Sequence, residues 1–250
     1  MHPMQKLLIS NRQRGRFDVV AKAGDEEATI YLYDMIVSTD EEAEWWGGVS
    51  PQSFIKALNE ITAATIHLRV NSPGGSVFAA RAIEQAIREH KSTIIVHVDG
   101  LAASAASFLI MAADEIHMAP GSFLMIHKAW TWMYGNADDL RKEAGLLDQI
   151  DVSLAKTYAT RSGQDEAAIV GWLADETWIE ASRAVELGLA DKVAEEKAKA
   201  KASDWDLSAY QHAPAQASAP ATPAPETETP AQEVDRDALH RAVLKALIPA

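Results

Sequence analysis

The 250-residue chain contains no cysteine, which excludes a disulfide framework and a thiolate nucleophile. No apolar run is long enough to cross a bilayer, because alanine, glycine and charged residues interrupt every candidate. The opening Met1-His2-Pro3-Met4-Gln5-Lys6 leads into only four apolar or small residues before Asn11 and Arg12, too few for the apolar region of a secretory leader. Basic residues are in deficit, 23 against 36 acidic, for a net charge of −13. They are dispersed apart from Arg12, Arg14 and Arg16, which read as part of a solvated N-terminal arm; a nucleic-acid surface would carry a basic stripe. Eight histidines are present, yet none forms an HExxH pair and no cysteine completes a zinc set, so no metal site is expected. The sequence also lacks a Walker motif, a GxGxxG fingerprint and a G-x-S-x-G elbow. The expectation is a cytoplasmic protein without cofactor, nucleic-acid partner or membrane partner.

What is present suffices for one sizeable core with residues left over for a tail. Thr29 to Ile36 reads as a strand. Ser50 is placed to cap a helix with Pro51 at its first position and Phe54, Ile55, Leu58 and Ile61 on its apolar face. Thr65–Val70 and Thr93–Val98 read as strands on either side of a helix from Phe78 to Glu89, an order that implies parallel pairing through right-handed crossovers. Short strands follow at Glu115–Met118 and Phe123–His127, then a long helix over about Asp138–Thr160 and a short one from Ala181 to Leu187 ending at Gly188. Past Ala194 the composition changes. Glu195 to Lys201 is a charged run, and Ala213 to Ala231 is an Ala/Pro/Thr-rich stretch that reads as a disordered linker. Val234, Leu239, Val243, Leu244 and Leu247 then recur at helical spacing, in a helix too short to stand alone in water.

Three segments carry chemistry. The run Gly100-Leu101-Ala102-Ala103-Ser104-Ala105-Ala106-Ser107 sets a serine between a β-type run and Phe108-Leu109-Ile110-Met111. A hydroxyl at such a junction sits at the positive end of a helix dipole, and small neighbours admit a substrate backbone. Taken alone, Ser104 reads as a helix cap. Asn71-Ser72-Pro73-Gly74-Gly75-Ser76 reads either as a β-turn or as an anion-binding turn, with Gly75 free to aim its N–H at a developing negative charge. An oxyanion hole needs donors fixed where the tetrahedral oxygen forms; the N–H groups of Gly75 and Ala105 are the candidate pair. His127 ends the run Phe123-Leu124-Met125-Ile126, and a lone strand-end histidine is usually structural. His67, His97 and His117 fall within strands, where packing explains them.

Taken in order, Asn71-Ser72-Pro73-Gly74-Gly75, Gly100-x-Ala102-Ala103-Ser104 and Met125-Ile126-His127 resemble the motifs of the Clp-type serine peptidases. Glu180 to Asp191 is similar to that family's closing segment, with Arg183 where glutamate is usual. The resemblance spans about Ala28 to Val193. It implies an α/β fold, the ClpP/crotonase-like spiral of repeated β-β-α units. It also implies Ser104 as nucleophile, His127 as general base, and Gly75 and Ala105 as oxyanion donors. The triad acid falls on Ala174-Asp175-Glu176-Thr177-Trp178: gap-free alignment selects Glu176, whereas Asp175 keeps the residue type and is slightly favoured. Adjacent residues of an extended segment point opposite ways, so one of the two faces His127. By the same rule Lys128 points away from His127, which disfavours a Ser–Lys pair.

The family resemblance further implies protein substrates, no cofactor, and a homo-oligomer of stacked rings joined through the helix at Asp138–Thr160. Trp45-Trp46-Gly47-Gly48-Val49 and the C-terminal additions look like the Clp-related head-maturation (prohead) proteases of tailed phages, which process capsid or scaffold proteins. The alternatives are a degradative peptidase working with a separate ATPase, and a non-peptidase crotonase-like enzyme or scaffold. The expected division is an arm over 1–27, the peptidase unit over 28–198, an extension and linker over 199–232 and an amphipathic helix over 233–250.

Overall fold

Alternating burial in three neighbouring strands builds the sheet. β2 (Glu27–Tyr33), β3 (Thr65–Ser72) and β4 (Thr93–Ala103) pair in parallel, with Ile30 opposite Leu68 and Leu68 opposite Val96. Side chains two apart share a face, so Ile30, Leu32, Leu68, Val70, Val96 and Val98 all bury on one side. Each such aliphatic side chain contributes roughly 1.5–3 kcal/mol when fully buried. The structure, a computed structural model, describes residues 2–21, 24, 26–195 and 205–214.

Helices cover the apolar face for reasons written locally. α3 (Pro51–Asn59) starts at Ser50, whose hydroxyl accepts from Ser53 N, and it buries Phe54 and Leu58. α4 (Val77–Glu89) is capped by Ser76 and buries Ala79, Ala80, Ile83 and Ile87. The longest helix, here α6 (Ala137–Ser162), opens on a capping box between Asn136 and Asp139 and stops at Gly163, which takes the left-handed conformation at φ 71°. Tyr158 of α6 is fully buried in the same core.

The sheet runs β1-β2-β3-β4-β5-β8, where β1 (Arg16–Val20) is an antiparallel edge and β5 (Glu115–Met118) and β8 (Lys192–Val193) are parallel. β4 forks. Its register with β3 shifts between Val70 and Ser72, so its first half pairs with β5 while Leu101–Ala103 pair with β6 (Phe123–Ile126). β6 then pairs antiparallel with β7 (Thr177–Glu180). The ends of β4 and β6 and the start of β7 therefore meet. Short elements complete the order: α5 (Ala105–Leu109), a 3₁₀ turn at Ile110–Ala112, α7 (Glu166–Ala174) and α8 (Ala181–Glu186). This is the α/β expectation in outline.

Several sequence expectations change. The arm expected over 1–27 folds in part, into α1 (Pro3–Ser10), which buries Leu7, and the edge strand β1. Its arginines are not merely solvated: Arg16 stacks over Tyr31 and Tyr33, and Arg12 over Trp46. Helix α2 (Asp40–Trp46) was not foreseen because it buries no residue and so carries no apolar stripe. Residues Trp205 to Tyr210 return to a second apolar cluster with Leu7, Met35, Leu101 and Met125. The rest of the charged run past Glu195, the linker beyond Pro214 and the helix expected at 233–250 lie outside the described residues. His67, His97 and His117 line up across β3, β4 and β5, with His67 Nδ1 2.9 Å from His97 Nε2. Burial pushes His97 down to about 4, helped by its cationic neighbours.

Candidate active site

Ser104 terminates β4 in a backbone conformation that non-glycine residues avoid, φ 53° and ψ −119°. Such a residue stores on the order of 1–3 kcal/mol of strain, and the surrounding structure must hold it there. Two restraints do so. Its N–H donates to Met125 O at 2.8 Å, continuing the β4–β6 ladder, and α5 begins at the next residue. Ser104 occupies the cap position of α5 without making a side-chain cap bond. Its Oγ instead lies 2.7 Å from His127 Nε2. The isolated reading of this serine as a cap thus gives way to a directed hydroxyl.

Register explains the rest. Ala103 lies opposite Met125 in the β4–β6 pair, which sets Ser104 and His127 side by side just past the strand ends. Ile126 lies opposite Thr177 in the antiparallel β6–β7 pair, so the next rung joins His127 and Glu176. Glu176 is 7% exposed, whereas Asp175 is exposed at the end of α7. Of the two candidate acids, the antiparallel register turns Glu176 inward and leaves Asp175 in solvent. Glu176 holds φ 49°, a second strained backbone position at this junction. Lys128 is held by its N–H to Leu173 O and is exposed, as expected of a residue on the opposite side from His127.

His127 is 8% exposed. Burial pushes its imidazole down from 6.5 to about 4, and the nearby charge of Glu176 acts in the opposite direction. At neutral pH the ring is uncharged and able to accept a proton. The Glu176 carboxylate is well furnished with donors. Oε1 accepts His212 N at 2.7 Å and Trp178 Nε1 at 3.3 Å, and Oε2 accepts Gln211 N at 2.9 Å.

The glycine turn closes the other side. Gly75 has φ 148° and forms a parallel bridge with Ile36; a Cβ there would stand 1.9 Å from Ile36 O. Gly74, at φ 95°, presses against the serine, because its Cβ would come within 2.6 Å of Ala103 O and 2.8 Å of Ser104 Cβ. Only glycine permits this approach. Ala105 is the first residue of α5, where a helix leaves N–H groups without intrahelical acceptors. Gly75, Ser104, Ala105 and His127 all line one cleft of about 450 Å³. Its apolar wall comes from Phe108, Leu154 and Tyr158, and α1 adds Met4 and Leu8.

Sequence reasoning missed the aromatic surround. The Trp130 ring meets His127 edge-on at 4.4 Å, and Tyr210 does so at 5.4 Å. The apolar spacing of Trp205, Leu207 and Tyr210 was the available signal. It names a buried segment but not the place where that segment docks. Among the described residues no cluster of histidine and carboxylate side chains could hold a metal ion, and no helix is long and apolar enough to cross a membrane.

Comparison with known proteins bears on the same segment of chain. The family model described as Clp protease matches residues 22–197. The "ATP-dependent Clp protease proteolytic subunit 2" of Treponema denticola is 32% identical over 144 residues, covering 56% of this chain and 72% of that relative. The "ATP-dependent Clp protease proteolytic subunit" of Pleurastrum terricola is 30% identical over 155 residues, covering 57% of this chain and 79% of the relative.

Proposed function

The chain belongs to the Clp protease family, and from that premise we propose that it is a serine endopeptidase working through Ser104, His127 and Glu176. The observation that carries the reading is the 2.7 Å approach of His127 Nε2 to the strained Ser104 Oγ. Nε2 accepts the serine proton, which requires the ring's own proton to sit on Nδ1. Ser104 Oγ then attacks the peptide carbonyl carbon, and the carbonyl π electrons move to oxygen. The N–H groups of Gly75 and Ala105 receive that oxyanion. His127 returns its proton to the departing amine, and water attacks the acyl-enzyme by the same route in reverse. Glu176 holds the imidazolium formed in each half. Three N–H donors hold the Glu176 carboxylate in place, and its charge acts on the His127 ring to favour the protonated form.

Protein chains are the proposed substrates, and the apolar wall of the cleft favours an apolar side chain beside the cut bond. The relatives' names speak of ATP dependence. Because this chain has no Walker motif, the reading best supported is a peptidase subunit that assembles into rings and receives chains from a separate ATPase. Head maturation of a phage capsid is the second reading. It rests on the likeness of the Trp45–Val49 segment and of the residues after 198 to that group.

A fluorophosphonate probe tests the chemistry. Covalent labelling at Ser104, abolished in Ser104→Ala and in His127→Ala, is the expected result; labelling that survives both substitutions would overturn the triad. Incubation with an unfolded protein and with a capsid precursor, each with and without a Clp-type ATPase, separates the two readings. ATPase-dependent loss of the unfolded chain supports the first, and ATPase-independent cutting of the precursor at discrete sites supports the second.

A further inference from the structure

We infer that the segment Trp205–Ala213 is a positioning element of the triad, supplying from outside the peptidase core the donors that hold Glu176 and the ring that backs His127. The inference rests on the peptidase reading above. Gln211 and His212 donate consecutive backbone N–H groups to the two oxygens of Glu176, and the third donor, Trp178, belongs to β7, which begins one residue after Glu176. A carboxylate at 7% exposure is costly to bury without such donors, and they fix the orientation in which it faces the imidazolium.

One residue earlier, Tyr210 stands edge-on to His127, and its hydroxyl donates to Pro73 O in the glycine turn. Burial pushes the Tyr210 phenol up, with the Ser104 hydroxyl acting the other way, so the phenol remains a neutral donor. A single side chain thereby ties the base to the turn that carries Gly75.

The segment is anchored rather than draped. Asn11 and Asp206 exchange hydrogen bonds of 2.9 and 2.7 Å, Lys6 Nζ donates to Ser208 O at 2.7 Å, and Leu207 is fully buried. It also lies behind the base and not in front of the nucleophile. The cleft at Ser104 is lined by α1, the glycine turn and α6, and by none of residues 205–214. A segment that plugged the site would line the cleft; one that orients the triad would reach Glu176 and His127 from the rear, as this one does.

The test uses the full chain and the rate at which a fluorophosphonate labels Ser104, followed by intact mass. His212→Pro removes one N–H from Glu176, and each variant's thermal midpoint and assembly mass are measured alongside. Loss of a hydrogen bond to a charged group predicts labelling roughly tenfold slower. In a Glu176→Gln background the same change is expected to cost no more than about twofold, because the two act through one interaction. A purely structural role would slow both backgrounds equally and overturn the inference, as would faster labelling, which would mark the segment as a latch. Should His212→Pro not fold, Tyr210→Ala and Tyr210→Phe decide. Recovery in Tyr210→Phe of most of the rate lost in Tyr210→Ala supports the ring's role, and equal rates in Tyr210→Ala and the wild type overturn it. A wild-type chain that takes no label at all refutes the peptidase reading itself, a result distinct from wild-type labelling that the segment variants leave unchanged.

Discussion

Acidification from pH 7 to pH 4 acts on His127 in a way that can be worked through. Its imidazole titrates near 6.5 in the unfolded chain and near 4 in the folded one, because burial penalises the cation more than the Glu176 charge compensates. Between those values the unfolded chain binds a proton that the folded chain refuses, so unfolding is favoured as protons are added. Stability from this group is whole above pH 6.5, falls as pH drops toward 4, and levels off below. A gap of roughly 2.5 pH units at about 1.4 kcal/mol each gives a loss of about 3 kcal/mol. Urea unfolding of the wild type and of His127→Gln across this range isolates the contribution, since His97 titrates in both and cancels. The difference between the two proteins is expected to shrink on acidification by that amount. Fluorophosphonate labelling should follow the neutral imidazole, with its acid limb near pH 4. A difference curve that stays flat or widens toward low pH, or a limb at 6.5, would refute the argument.

Other substitutions separate the parts of the site. Glu176→Gln is expected to slow labelling by about 10²–10⁴-fold, and Asp175→Asn by less than twofold, read from second-order labelling rates. Removing the Glu176 charge also takes away the influence that raises His127, so the acid limb of Glu176→Gln should move to lower pH. Gly75→Ala places a Cβ 1.9 Å from Ile36 O at φ 148°, displacing a candidate oxyanion donor; turnover of a peptide substrate should fall by about 10²–10³-fold. Leu207→Ala empties a fully buried position in the second apolar cluster and should cost about 2–5 kcal/mol, measured by chemical denaturation.

Local chemistry wrote much of this protein into its sequence. Ser50 and Ser76 cap helices that begin where their hydroxyls predict, and period-two burial marked β2, β3 and β4 because each has one covered face. The serine, the histidine and the glycine turn were legible as motifs, and the structure brings Ser104 and His127 to hydrogen-bonding distance. Other features were not local. Helix α2 has no apolar stripe to read, and α1 buries a single residue, so neither announced itself. Which carboxylate faces the base depends on the antiparallel β6–β7 register, a pairing between segments some fifty residues apart; Asp175 and Glu176 differ in the sequence only by one step. The docking of Tyr210 behind His127 likewise depends on long-range packing with Leu7, Met35 and Leu101. Caps and alternation are set by neighbours within a few residues, and these the sequence determined by itself. Orientation across a sheet and the return of a distant segment are set by what the folded chain leaves uncovered, and these only the tertiary structure decided.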